Sequence, residues 1–262
     1  MSWVLLRGLM REQRHWGDFP EQLRAALPDA NLVTPDLPGN GANWRARSPL
    51  SVMGMVEACR ADLRGRGLAG PYSLLALSLG AMVAVQWRAS YPEEVARCVL
   101  INTSMRPFSR FYQRLRWQNY PAIARQLVLG GARRQEQLAL RLTSVTHGRD
   151  TRDSDLLKRW VDYHNECPVS RWNALRQLAA AARFHAPRQG REGPPLLVLA
   201  GARDGLVDPV CSRRLAQAWD AEFRLHPAAG HDLPLDDGVW VAAQVAGWLA
   251  GYVTLTRPTE IP

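Results

Sequence analysis

The chain has 262 residues, of which 47% are apolar and 22% are charged. This length allows a substantial hydrophobic core, and no stretch approaches the roughly 20 apolar residues that cross a bilayer, so a membrane-spanning protein is excluded and a soluble one is expected. The net charge of +9 comes almost entirely from arginines scattered along the chain, with modest clusters at 110–116 and 133–134. We therefore expect no nucleic-acid partner and a mild preference for anionic substrates.

Short runs rich in Val and Leu alternate with segments of helical periodicity. The predicted strands are 3–6, 31–35, 72–77, 97–102, 195–200 and 222–227. The predicted helices are 16–27, 52–65, 79–91, 209–219 and 238–252. This alternation predicts an α/β protein with a mostly parallel, doubly wound sheet of about six strands.

The connection between residues 102 and 195 is too long for a loop. Helical spacing recurs at 120–129, 134–142, 154–165 and 170–184, and the Pro- and Gly-rich stretch 187–195 returns the chain to the sheet. We predict a helical cap at 105–190, inserted into a core formed by 1–104 and 191–262. Its aromatic residues should pack inside the cap or against the core, and a few should line an apolar pocket. They include Trp117, Tyr120, Trp160, Tyr163 and Trp172.

No signal peptide is recognisable at the N-terminus, so a cytoplasmic protein is expected. The four cysteines lie far apart in the sequence and form no C-x-x-C pair, which favours buried free thiols over a metal or redox site. They are Cys59, Cys98, Cys167 and Cys211. The stretch 153–155 (DSD) has too few ligands for a metal loop and precedes an amphipathic segment, so it is interpreted as a helix cap. With no nucleotide or flavin motif either, we expect neither a metal nor a cofactor.

Residues 72–80 (YSLLALSLG) form an apolar run that ends on a serine between small residues and continues into a helix-forming segment. A strand that turns sharply into a helix at a serine is a nucleophile elbow, which exposes the hydroxyl and points the next backbone N–H at the same spot. Ser78 is therefore the candidate nucleophile. Ala76 replaces the first Gly of the usual G-x-S-x-G, and a second small residue should fit there.

A serine hydroxyl needs a base, and the base needs an orienting acid. Asp204 follows the strand at 195–200, and His231 follows the strand at 222–227, so both lie at the carboxyl edge of the predicted sheet. They are the candidate acid and base. Asp208 is an alternative acid, although an Asp before Pro209 is also typical of a helix start.

These segments together resemble the α/β-hydrolase superfamily, most of all its small esterases with a helical cap. The resemblance covers nearly the whole chain and rests on motifs in the order of the family. The motifs are 7–9 (RGL), 34–41 (TPDLPGNG), 76–80 (ALSLG), 91–93 (YPE), 201–209 (GARDGLVDP) and 230–231 (GH). The resemblance implies the α/β-hydrolase fold without its two leading strands, and hence a sheet of six.

The resemblance also implies an oxyanion hole with two backbone donors. One is the Leu79 N–H, and the other is the Leu9 N–H, with the Met10 N–H as the alternative. The family usually has His-Gly where this chain has Arg7-Gly8. Arg7 either faces the site, where it would attract an anionic acyl group, or turns outward into solvent.

Two further polar residues near these motifs have a chemical and a structural interpretation. His15 follows the predicted oxyanion loop and either contacts substrate or opens the first helix. Asp36 lies in the 34–41 motif, where the resemblance implies that it stabilises the loop beside the site.

The resemblance implies a serine hydrolase that cleaves carboxylic esters of small or medium acyl groups through an acyl-enzyme on Ser78. The same three residues also serve thioester or amide cleavage and acyl transfer. A different class of protein, a ligand-binding protein on the same fold, usually lacks one of the three, and this chain has them all. The expected partner is a small acyl substrate, and the fold alone does not identify it.

Overall fold

The computed structural model describes residues 1–148, 154–187 and 193–256. Its strands are β1 (Ser2–Leu6), β2 (Asn31–Val33), β3 (Tyr72–Leu77), β4 (Val95–Ile101), β5 (Leu196–Gly201) and β6 (Glu222–His226). Its helices are α1 (Phe19–Ala26), α2 (Val52–Gly65), α3 (Leu79–Ser90), α4 (Phe111–Arg114), α5 (Tyr120–Leu129), α6 (Ala132–Thr143), α7 (Asp155–Glu166), α8 (Arg171–Arg183), α9 (Val210–Trp219) and α10 (Leu233–Thr256).

The six strands form one parallel sheet in the order β2-β1-β3-β4-β5-β6. Because Leu6 pairs with Ala76 and Leu77 with Ile101, the carboxyl ends of the central strands lie side by side. The loops that follow these strands therefore meet at one edge of the sheet, where sites in open α/β sheets form. The predicted six-stranded α/β fold is confirmed.

Alternate side chains of each central strand enter two separate cores. On one face, Leu74 and Ala76 pack with residues of α2, α3 and α9. On the other face, Leu75 and Leu77 pack with residues of α1 and α10. The sheet is thus covered on both sides, which explains why its central strands are continuous apolar runs.

Within the described ranges, five helices, α4 to α8, lie between β4 and β5. Helices α5 to α8 correspond to the four segments with predicted helical spacing, whereas the short α4 was not predicted. They include a small apolar cluster of Leu140, Leu157 and Trp160. The Ser154 hydroxyl accepts the Leu157 N–H at 3.2 Å and caps α7, as expected for that stretch, while Asp153 lies outside the described residues. The predicted boundaries of the cap stay a prediction.

Several other sequence-based expectations need correction. Helix α1 begins at Phe19 because residues 13–16 form a separate 3₁₀ turn, and α10 begins at Leu233 with a kink at Asp237. Trp117 and Trp172, expected to pack, are 60% and 77% exposed.

The described cysteines are free thiols, as expected, and three of them are buried. Burial raises the pKa of Cys59 and Cys98 to about 12 and that of Cys211 to about 11. None of the helices in the described ranges is both long and apolar enough to span a membrane.

Candidate active site

Ser78 occupies a sharp turn between β3 and α3. Its backbone has φ 57° and ψ −114°, a conformation that a residue other than glycine rarely adopts. The turn is held by the Ser78 N–H, which donates to the Ile101 carbonyl at 2.9 Å, and by the Thr103 hydroxyl, which donates to the Ser78 carbonyl at 3.3 Å. Strain of this kind persists where the surroundings enforce it, as they do here.

Two glycines let the loop after β1 approach this turn. A Cβ on Gly80 would lie 2.4 Å from the Leu6 carbonyl oxygen, so only glycine lets the start of α3 pack this closely against β1. A Cβ on Gly8 would lie 3.2 Å from the Ser78 Cβ. The backbone at Gly8 therefore runs beside the Ser78 side chain, and Leu9 and Met10 line the same cavity as Ser78.

Asp204 and His231 are joined by a buried hydrogen bond. His231 Nδ1 lies 2.7 Å from Asp204 Oδ2, and the two side chains are only 5% and 1% exposed. The other carboxylate oxygen, Oδ1, accepts the backbone N–H groups of Leu206 and Val207, both at 2.8 Å. Because an ionised carboxylate only accepts, His231 carries its proton on Nδ1 and leaves Nε2 free to act as a base.

Asp208, the alternative acid, has a different partner. Its Oδ1 accepts the Val210 N–H at 3.0 Å, at the first residue of α9. The carboxylate thus satisfies a backbone donor that a helix start leaves unpaired. This position agrees with the structural interpretation of Asp208, and Asp204 holds the imidazole.

Asn102, which no sequence pattern singles out, fixes the loop that carries His231. Its amide nitrogen donates to the carbonyls of Gly230 and His231 at 2.9 and 2.7 Å, while its oxygen accepts the Gly201 N–H at 2.8 Å. One buried side chain at the end of β4 therefore ties the His231 loop to the end of β5.

Gln177 of α8 is a second residue that sequence reasoning missed. It is fully buried, its Oε1 accepts the Met10 N–H at 3.0 Å, and its Nε2 donates to Asn40 Oδ1 at 2.8 Å. Since the Met10 N–H is already bonded, the alternative oxyanion donor is occupied. Leu9 lines the same cavity as Ser78, and Leu79 is the first residue of α3, so its N–H has no acceptor within the helix.

A cavity of about 150 Å³ brings Ser78 and His231 together. Its floor is formed by residues 7–11, and its walls come from α5, α6 and α8. The walls are mostly apolar. They include Ile123, Leu138, Ala139, Leu142 and Leu178. The lining thus comes from aliphatic residues and not from the aromatic residues that the sequence suggested.

A sequence model of the alpha/beta hydrolase fold matches residues 4–238, nearly the whole chain. The chain belongs to this hydrolase family. Among curated proteins it is 29% identical over 230 residues to the biotin biosynthesis bifunctional protein BioHC of Cellvibrio japonicus, covering 87% of this chain and 43% of that protein. This hydrolase chain therefore spans less than half the length of that relative.

Solved structures share the fold of this hydrolase. An esterase from Thermogutta terrifontis superposes with a TM-score of 0.74 at 21% identity, covering 96% of this chain and 90% of its own. An esterase from Rhodococcus sp. ECU1013 superposes with a TM-score of 0.74 at 20% identity, and the match covers 95% of this chain and 90% of that esterase. An enol-lactonase from Burkholderia xenovorans LB400 superposes with a TM-score of 0.74 at 18% identity, and the match covers 97% of this chain and 91% of that enzyme. At these identities the likeness shows the fold alone.

Arg7, which replaces the usual His of the family, neither turns outward nor remains unpaired. Its guanidinium is 4% exposed and forms two hydrogen bonds to the Asp232 carboxylate, at 2.6 and 3.1 Å. The guanidinium also lies over the Trp16 ring, 4.7 Å from its centroid. Arg7 does line the cavity, but its charge is already compensated there, so its position matches neither the free anion-binding group nor the solvated charge considered from the sequence.

A second ion pair in the cavity lining joins the partly buried Arg11 to the buried Glu136 of α6. The other Glu136 oxygen lies 3.0 Å from His164 Nδ1. Burial alone would raise the pKa of Glu136, but the Arg11 charge and His164 outweigh it and hold the pKa below its ordinary value. The charges of the two arginines and two carboxylates in the lining therefore compensate each other, Arg7 with Asp232 and Arg11 with Glu136.

His15 lies outside the cavity that contains Ser78. It lines a separate cavity of about 10 Å³, where its ring packs edge-on against Trp160 at a centroid distance of 5.0 Å and its Nδ1 accepts the Glu12 N–H at 3.2 Å. This placement does not support the predicted substrate contact.

Asp36 has the loop-stabilising position that the resemblance implies. Its two oxygens accept the N–H groups of Gln13 and Ala42 at 2.7 and 2.9 Å.

Proposed function

We propose that this hydrolase cleaves neutral carboxylic esters through an acyl-enzyme on Ser78. The observation that carries the proposal is the 2.7 Å hydrogen bond between Asp204 and His231, at the wall of the cavity that contains the strained Ser78. An imidazole oriented by a carboxylate and a serine hydroxyl in the same cavity are the pair that activates a serine nucleophile.

The reaction proceeds in two halves. Ser78 Oγ attacks the ester carbonyl while His231 Nε2 takes the hydroxyl proton, and the N–H groups of Leu79 and Leu9 stabilise the oxyanion. Collapse of the tetrahedral intermediate breaks the ester bond, and the departing alkoxide takes the proton from His231. Water then attacks the acyl-enzyme, again giving a proton to His231, which returns it to Ser78 as the free acid leaves. Asp204 stabilises the imidazolium in both halves.

The lining of the cavity favours a neutral acyl group. Its walls are aliphatic, and its charged groups are engaged in the Arg7–Asp232 and Arg11–Glu136 pairs. An isolated carboxylate placed there would lose its hydration without gaining an unpaired cation. The mild preference for anionic substrates suggested by the overall charge therefore does not apply to this cavity.

The test is a panel of p-nitrophenyl esters of increasing acyl length, each paired with an ester that ends in a carboxylate. We expect the neutral ester of each pair to have the higher kcat/KM, and Ser78→Ala and His231→Ala to abolish turnover of both. Thioesters and amides of the same acyl groups, assayed beside them, measure the preference for the leaving group. No turnover of any neutral ester would contradict the proposal and favour a ligand-binding role.

A further inference from the structure

The positive charge of this protein is concentrated beside the candidate active site. Residues 105–148 contain eight arginines and a single acidic residue, Glu136, and so carry seven of the nine net positive charges. Glu136 is buried and paired with Arg11. The segment contains both of the arginine clusters noted in the sequence, 110–116 and 133–134, and its arginines have almost no acidic neighbours along the chain.

Three of these arginines line one concave surface between α5 and α6. The cleft has a volume of about 320 Å³ and is lined by Arg125, Arg134 and Arg141. All three side chains are exposed. Within the described ranges, none of the three forms an ion pair or a side-chain hydrogen bond. Like charges brought together without a counter-charge repel one another, and an anion in the cleft would relieve that repulsion.

The cleft adjoins the Ser78 cavity. Gln126 of α5 and Leu138 of α6 line both. A substrate that has its ester carbonyl at Ser78 and extends past these two side chains would reach the arginines.

We propose that the cleft of Arg125, Arg134 and Arg141 binds a phosphate group at the far end of the ester substrate. This inference rests on the proposed esterase function and extends it to a substrate class, esters in which a neutral chain separates the ester carbonyl from a terminal phosphate. Phosphate fits the cleft because the planar guanidinium fork donates two parallel hydrogen bonds to phosphate oxygens, and because a dianion matches several cations better than a carboxylate does.

The kinetic test uses alkyl butyrates and ethyl esters of alkanoic acids, each with and without a terminal phosphate, with the alkyl or acyl chain lengthened stepwise. Once the chain is long enough to reach the cleft, the phosphorylated ester should have a kcat/KM about tenfold above that of its neutral partner, as a network of exposed ion pairs can supply. The combined substitutions Arg125→Gln, Arg134→Gln and Arg141→Gln should remove this advantage and leave the neutral esters unchanged. Added salt should also reduce it.

The matched control removes three exposed arginines elsewhere, through Arg47→Gln, Arg64→Gln and Arg171→Gln. This variant loses the same net charge and should keep the advantage of the phosphorylated ester. If no phosphorylated ester is preferred at any length, or if both variants lose the preference equally, the proposed phosphate subsite is wrong.

A binding measurement separates this proposal from the proposed reaction. Isothermal titration calorimetry of inorganic pyrophosphate with the Ser78→Ala protein should show binding. Adding the three cleft substitutions to this protein should abolish the binding, and adding the three control substitutions should preserve it. If no ester at all is cleaved, the proposed function fails, and the pyrophosphate result still decides whether the cleft binds phosphate. Equal binding of pyrophosphate with and without the three cleft arginines would overturn the cleft assignment.

Discussion

Arg7 and Asp232 form a buried, bidentate ion pair that joins the loop after β1 to the loop after β6. Arg7 immediately precedes the Gly8-Leu9 segment, and Asp232 immediately follows His231. The pair therefore connects the segment that we propose to hold the oxyanion with the segment that carries the proposed base.

The first prediction concerns this pair. Arg7→Met or Asp232→Asn alone should lower the free energy of unfolding by about 3–5 kcal/mol, because each leaves an uncompensated buried charge. The double variant should lose clearly less unfolding free energy than the two single variants lose together, since it leaves neither charge buried. Urea unfolding of all four proteins measures the coupling. The exposed pair of Arg24 and Glu21 is the control and should show almost none. Additive losses at Arg7 and Asp232 would contradict a coupled pair.

The second prediction separates the two aspartates of the loop after β5. Asp204→Asn should lower kcat on the order of 10⁴-fold with the fold intact, because an amide facing Nδ1 upsets the imidazole tautomer. Asp208→Asn should leave kcat nearly unchanged and cost at most a few tenths of a kcal/mol, because Asn also accepts hydrogen bonds at a helix start. Steady-state kinetics with circular dichroism distinguishes them, and exchanged phenotypes would reverse the assignment.

Local sequence patterns predict the residues and elements that follow one another closely along the chain. Ser78, Asp204 and His231 were predicted to lie together because each follows a predicted strand, and parallel strands bring their carboxyl ends to one edge of the sheet. Helix α5 was predicted with the observed bounds because its periodicity is regular and Gly130 follows it. Such signals lie within a few residues of the element that they define.

The remaining features of the site depend on contacts between distant segments. The partner of Arg7 lies 225 residues away, and Gln177 lies 167 residues from Met10. Neither contact leaves a pattern in the neighbouring residues, so sequence alone could not distinguish a buried Arg7 from a solvated one. The exposure of Trp172 could not be predicted for the same reason, since helical periodicity does not say which face of α8 packs against the rest of the protein.

The third prediction concerns Gln177. Replacing it by Met, of similar size, removes the acceptor of the Met10 N–H and the donor to Asn40, and should cost about 1–3 kcal/mol of stability. If Gln177 positions the oxyanion loop, kcat should also fall while KM for neutral esters changes little. Gln86→Met, at an exposed hydrogen bond on α3, is the control. Loss of stability without any change in kcat would limit Gln177 to a structural role.

The fourth prediction is a pH dependence of stability. Burial, reinforced by the positive charge of Arg11, holds the pKa of His15 well below its ordinary value of 6.5. The unfolded chain therefore binds a proton below pH 6.5 that the folded protein does not, so the free energy of unfolding should decrease as the pH falls from 6.5. The slope from one such group approaches about 1.4 kcal/mol per pH unit.

His15→Gln should flatten this slope, and His185→Gln, at an exposed position, should not. Urea unfolding at a series of pH values measures both. An unchanged slope in His15→Gln would mean that other groups cause the acid sensitivity.

The central claim is that Ser78 is an activated nucleophile. Incubation with a fluorophosphonate probe, followed by proteolysis and mass spectrometry, tests it without any assumption about the substrate. We predict one adduct, on the peptide that contains Ser78, absent from Ser78→Ala and much slower to form in His231→Ala. Labelling that persists in Ser78→Ala, or native protein that does not react, would contradict the account.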